Sequence, residues 1–130
     1  MAAIEKTTHG SCMCGAVRYR VSGPLRPIIA CHCIQCRKSS GHYVAATACP
    51  TDALQIDGDT LQWFASSSEA ERGFCGRCGS NLFWRLRGAN STSIWAGSID
   101  GPTGLHIAQQ LFTESKGDYY DLPDAPVAPA

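Results

Sequence analysis

The chain has 130 residues, 44% hydrophobic and 17% charged, which suits one globular domain with one core. Eleven Lys and Arg balance eleven Asp and Glu with no basic block, so the electrostatic footprint of a nucleic-acid binder is missing, and no stretch approaches the roughly 18 apolar residues of a membrane span. Met1–Gly10 lacks the apolar run of a secretory signal, which makes the cytoplasm the expected location; thiols stay reduced there, so the eight cysteines read as metal ligands rather than as a disulfide framework.

The predicted elements are mostly strands. Residues 16–21 alternate around Val17, Tyr19 and Val21, and a single helical turn is expected after Cys33. Tyr43–Ala48 is a small apolar run ending near Cys49. Leu54-Gln55-Ile56 and Leu61-Gln62-Trp63-Phe64 flank Asp57-Gly58-Asp59, which predicts a β-hairpin turning at Gly58. Further strands are expected at Arg72–Cys75, Asn81–Arg85, Ser93–Ala96 and His106–Leu111, separated by glycine-bearing turns. The absence of a long 3.6-residue apolar period makes the domain mainly β, with loops pinned by metal. It is expected to span residues 1–122, with Pro123–Ala130 an extended, weakly ordered tail rich in proline and alanine.

Seven cysteines fall into three groups: Cys12-Met13-Cys14, Cys31-His32-Cys33-Ile34-Gln35-Cys36 and Cys75-Gly76-Arg77-Cys78. A Cys-x-x-Cys turn presents two sulfurs to one zinc ion without backbone strain, and Cys75 and Cys78 form such a turn. Cys12 and Cys14 are the natural complement, giving a closed Cys₄ site that ties the N-terminal region to the middle of the chain. The competing assignment pairs Cys75 and Cys78 with two cysteines of the middle group.

Cys31, Cys33 and Cys36 supply three thiolates and leave a zinc ion one ligand short, the mark of a catalytic site. Water, an external thiol, Cys49 or His42 are the candidates for the fourth position. Closure by Cys49 makes the group a second structural zinc site, and buried or redox-active thiols without metal are the other bland reading. The spacings match neither ferredoxin pattern, which argues against iron–sulfur clusters. Arg37 and Ser39, just after the open group, are candidates for holding a substrate carboxylate; Arg37 and Lys38 read equally as solvated surface charges. His32 lies between two ligands and suits a supporting or core role, and His42 is a candidate proton shuttle. Trp63, Trp84 and Trp95 are expected mainly in the core.

Three motifs, Gly10-Ser11-Cys12-Met13-Cys14-Gly15-Ala16-Val17-Arg18-Tyr19, Cys31-His32-Cys33-Ile34-Gln35-Cys36-Arg37-Lys38-Ser39-Ser40-Gly41 and Phe74-Cys75-Gly76-Arg77-Cys78-Gly79-Ser80, resemble those of the glutathione-dependent formaldehyde-activating enzyme and centromere protein V family. His106-Ile107, Lys116 and Tyr119-Tyr120 resemble its C-terminal stretch, with the tyrosines either a lid or an anchor for that segment. The resemblance implies an Mss4-like, β-tent fold and two zinc ions, a structural one on Cys12, Cys14, Cys75 and Cys78 and a catalytic one on Cys31, Cys33 and Cys36. It implies carbon–sulfur lyase activity on a thiol–aldehyde adduct such as S-hydroxymethylglutathione. The alternative is a non-catalytic zinc module that binds a small thiol or a protein.

Overall fold

The computed structural model describes residues 6–128, so expectations for Met1–Glu5 and for Pro129 and Ala130 lie outside the described residues. In chain order the elements are β1 (Thr7–Ser11), β2 (Arg18–Ser22), β3 (Ile28–Cys31), helix α1 (Ile34–Ser40) and β4 (Val44–Cys49). They continue with β5 (Leu54–Asp57), β6 (Leu61–Ala65), β7 (Ala70–Cys75), β8 (Asn81–Leu86), β9 (Thr92–Trp95) and β10 (Ile107–Leu111). The fold is mainly β, of the expected Mss4-like, β-tent class.

One sheet has three strands in the order β1-β2-β5, and the other has seven in the order β10-β3-β4-β9-β8-β7-β6. β10 runs parallel to β3, and the remaining pairs are antiparallel. Period-two alternation on β2 turns Tyr19 and Val21 inward, where they meet Val17, Leu82, Phe83 and Ile94 in the main core. Tyr19 sits edge-on to Phe83 with centroids 5.2 Å apart. Its ring fits because Gly10 lies directly across the ladder: a Cβ there would meet Tyr19 Cζ at 2.1 Å. This close approach explains a glycine inside a strand.

The Gly58 turn forms with φ of 126°, but the expected hairpin does not. β5 pairs with β2, placing Ile56 opposite Tyr19, whereas β6 pairs with β7 in the other sheet. The turn therefore joins two sheets. A reversal signal sets the local bend, while the choice of partner follows from which face each strand buries. Gly58 also passes so close to the preceding loop that a Cβ would lie 2.3 Å from the Ala16 carbonyl oxygen.

β1 and β3 carry little local strand signal, since one lacks clear apolar alternation and the other is four residues long. The helical turn after Cys33 extends over seven residues. The described part of the tail lies against β10: the Gln110 side-chain amide donates to Pro123 O at 2.8 Å and Ala125 O at 2.9 Å, and Ala128 N donates to Gln110 O at 2.8 Å. Among the described residues no helix is long and apolar enough to cross a membrane.

Candidate metal centres

Loops from opposite ends of the first 80 residues bring Cys12, Cys14, Cys75 and Cys78 together, with all four sulfurs within 4.8 Å of one another. Cys12 Sγ and Cys14 Sγ are 3.6 Å apart, and Cys14 Sγ and Cys75 Sγ 3.9 Å. A tetrahedron with zinc–sulfur bonds of about 2.3 Å has edges of about 3.8 Å, so the donor set fits such an ion. Backbone N–H groups aim at the sulfurs: Val17 N donates to Cys12 Sγ at 3.3 Å and Arg77 N to Cys75 Sγ at 3.4 Å. The Ser80 hydroxyl, followed by the Ser80 and Cys14 backbone groups, draws the Cys78 thiol down to about 5. The Thr60 hydroxyl chiefly lowers Cys75. These contacts favour thiolates, the metal-binding form, at Cys75 and Cys78; at Cys14 the Ala16 backbone N–H acts the same way, but burial and the neighbouring sulfurs outweigh it and raise the thiol to about 11.

The second group gathers Cys31, Cys33 and Cys36, again with sulfurs within 4.8 Å. Cys31 ends β3, Cys33 caps α1 and Cys36 lies in its first turn, so a strand end and a helix start supply all three. Hydrogen bonding with the Cys36 sulfur lowers the Cys31 thiol, and the same contact, then burial, raises Cys36. Among the described residues no further His, Cys, Asp or Glu joins this group within that distance.

The three sulfurs border a cavity of about 540 Å³. Its wall is one continuous face of the large sheet, with Arg72, Trp84, Ser93, Trp95, Ala46, Val44, Ile29 and Leu111 turned the same way. Exposed Ile34 and Phe112 bring its rim to solvent. Phe112 has φ of 55°, a left-handed conformation uncommon for an aromatic side chain and frequent at functional sites. Arg26 and Arg72 are the charged residues of the lining, with no Asp or Glu.

The description of the glutathione-dependent formaldehyde-activating enzyme family matches residues 7–115. The chain belongs to this family. It is 34% identical over 129 residues to a putative glutathione-dependent formaldehyde-activating enzyme of Halomonas elongata, covering 88% of this chain and 80% of that protein. It is also 29% identical over 115 residues to a Schizosaccharomyces pombe protein named as an uncharacterized lyase, covering 88% of this chain and 84% of that one. A crystal structure of a Rhodobacter sphaeroides protein is similar in fold, with a TM-score of 0.60 at 22% identity, covering 74% of this chain and 91% of that one.

Within this family member, the other candidates from the sequence lie off the cavity. Cys49 packs with Val17, Tyr19 and Phe83 in the main core, five residues along β4 from the Val44 that pairs with Cys31. At about 3.4 Å per residue, that is too far to close the three-sulfur group. His42 is exposed, with Nδ1 3.0 Å from the Tyr119 hydroxyl. Arg37 Nη1 donates to Ser115 O at 2.8 Å, and Ser39 Oγ donates to Cys36 O at 3.2 Å. Both side chains therefore support the frame of the site from outside the lining.

His32 is fully buried between Gln110 and Tyr120. The Gln110 amide nitrogen is spent on two carbonyls, so its oxygen accepts from His32 Nε2 at 2.9 Å, and Nδ1 shares a 2.6 Å hydrogen bond with the Tyr120 hydroxyl. Lys116 Nζ adds a bond to Tyr120 O at 2.7 Å. The tyrosines thus anchor the C-terminal segment. Trp63 packs on the core as expected, but Trp84 and Trp95 form cavity wall. Arg72 carries no signal in cysteine spacing; its place beside Cys36 follows only from β7 meeting α1.

Proposed function

We propose that this chain is a carbon–sulfur lyase for small thiol–aldehyde adducts, with S-hydroxymethylglutathione the foremost candidate substrate. In this reading Cys12, Cys14, Cys75 and Cys78 hold a structural zinc ion, and Cys31, Cys33 and Cys36 hold a second one that faces the cavity. The observation that carries it is three sulfurs with no fourth side-chain ligand among the described residues, at a cavity of about 540 Å³, within the range of small-molecule sites. Zinc bound there would supply a Lewis acid that favours a substrate sulfur as thiolate.

The chain's own residues shape the rest. The apolar wall of Trp84, Trp95, Val44 and Leu111 excludes water around the reacting carbon, and Arg26 and Arg72 give the cavity a positive lining suited to an anionic thiol such as glutathione. In the release direction the C–S bond breaks with its electron pair passing to sulfur, the hydroxyl O–H breaks, and the carbon–oxygen bond becomes the carbonyl of free aldehyde. The proton passes to water at the cavity rim. The compartment proposed is the cytoplasm, where thiols and thiolate ligands stay reduced.

The test is a panel of thiols and aldehydes followed by exchange NMR on the zinc-loaded protein. Glutathione with formaldehyde is expected to interconvert with its adduct faster than in buffer. A flat response across the panel would overturn the lyase reading and leave a thiol-binding module.

A further inference from the structure

We infer that Arg72, with Trp95 packed beside it, is the cationic donor side of the three-sulfur centre. Arg72 is a positioning residue that matches the negative charge of ligand thiolates and thereby holds the metal. The inference rests on the reading above that Cys31, Cys33 and Cys36 bind zinc.

Arg72 is 8% exposed. Its Nη2 donates to Cys36 Sγ at 3.9 Å and to Gln35 Oε1 at 3.4 Å, so two adjacent residues of α1 fix the guanidinium against the sulfur group. Nη1 is buried without a partner. The ion pairs among the described residues join Glu71 to Arg85 and Arg87, and neither involves Arg72. A guanidinium stays charged in proteins, and a buried charge needs a counter-charge.

The neighbouring sulfurs can provide it. Three thiolates around a divalent ion carry a formal charge of about −1, located where Nη2 already points. The Trp95 ring lies 5.9 Å from the guanidinium carbon and packs against Cys36, Val44 and Ala46. Its Nε1 is also buried without a partner. Of the three such atoms among the described residues, two therefore belong to the residues flanking Cys36, and the third is Thr8 Oγ1 in the other sheet. Two orphan donors on residues packed around Cys36 are what an anionic, acceptor-rich centre requires. A purely structural role, with Arg72 stacked on Trp95, predicts no effect confined to one metal.

The experiment measures zinc stoichiometry and affinity of the full chain by competition with a chromophoric chelator, with cobalt spectra reporting the sulfur ligands. The wild type is expected to bind two ions. Arg72→Met should keep the four-sulfur ion at wild-type affinity and bind the other about tenfold or more weakly, the scale seen when groups supporting metal ligands are removed. Arg72→Lys, which retains the charge, should recover most of that loss. Trp95→Phe, which removes the N–H and keeps an aromatic wall, should weaken the same centre by less.

Two ions bound at wild-type affinity in Arg72→Met, or equal weakening at both centres, overturns the inference and leaves the zinc reading standing. A wild type that binds one ion overturns both. Should Arg72→Met fail to fold, Trp95→Phe decides, and wild-type affinity at both centres then overturns the inference.

Discussion

Cys33 Sγ accepts the backbone N–H of Cys36 at 3.3 Å, so a member of the three-sulfur group is also the N-cap of α1. The atom that caps the helix is thus also one that could serve a metal ion. In metal-free protein, Cys33→Ala is expected to cost about 1 kcal/mol through the lost cap. Cys33→Ser keeps an acceptor and should fold with the helix intact while still losing one zinc. Denaturant unfolding of the metal-free variants, with metal analysis of the loaded ones, checks the split; equal stability of the two would remove Cys33 as the cap.

The centres differ in what they connect. Cys12 and Cys75 join segments more than 60 residues apart in sequence, whereas Cys31, Cys33 and Cys36 lie within six residues. Metal at the long-range site opposes chain entropy that local ligands never face. Cys75→Ser is therefore expected to unfold the domain, and Cys36→Ser to yield a folded protein with one zinc. Near-ultraviolet circular dichroism and metal content measure both, and matching behaviour of the variants would argue against separate roles.

Cys49 tests the boundary between ligand and core. Burial, then Asp52, pushes its thiol from 9.0 to about 11. The native state therefore holds its proton where the unfolded chain releases it. This contribution is complete below pH 9 and declines as pH climbs toward 11. Cys49→Ala should flatten that alkaline decline, cost about 1 kcal/mol at neutral pH and leave two zinc ions bound. Loss of a zinc ion would restore Cys49 as a ligand.

Phe112 combines 54% exposure, left-handed backbone and a place on the cavity rim. Removing the side chain relieves a conformational cost of roughly 1–2 kcal/mol, against up to about 1 kcal/mol of added glycine entropy. Phe112→Gly should thus stay within about 1 kcal/mol of wild-type stability while raising KM for the adduct. A stability loss near that of a buried phenylalanine, about 3 kcal/mol or more, would show that packing rather than substrate holds this residue.

Much of the candidate site was legible in local spacing. Cys-x-Cys and Cys-x-x-Cys turns bring sulfurs together through the backbone of a few residues, so Cys12 with Cys14, Cys75 with Cys78, and the Cys31 group need little help from distant packing. The hairpin around Gly58 failed for the complementary reason: its turn is local, but pairing β5 with β2 and β6 with β7 depends on the faces that the two sheets bury. Arg37 and Ser39 were attractive through nearness in sequence to Cys36, yet α1 directs their side chains to Ser115 O and back to Cys36 O.

The sequence by itself determined a mainly β domain, the cysteine groups and the family resemblance, because strand alternation and knuckle spacing are short-range properties. Tertiary structure decided between the two groupings that spacing leaves open, setting the sulfurs of Cys12 and Cys14 beside those of Cys75 and Cys78, and it placed Cys49 in the core. It also placed Arg72, Trp84 and Trp95 around the three-sulfur group. Alternation tells which residues of a strand share a face, but whether that face meets solvent, core or cavity is settled by what packs over it. Here α1 and the turn after β10 leave a recess above the sheet, and an arginine that would be ordinary on a surface becomes a buried charge beside Cys36.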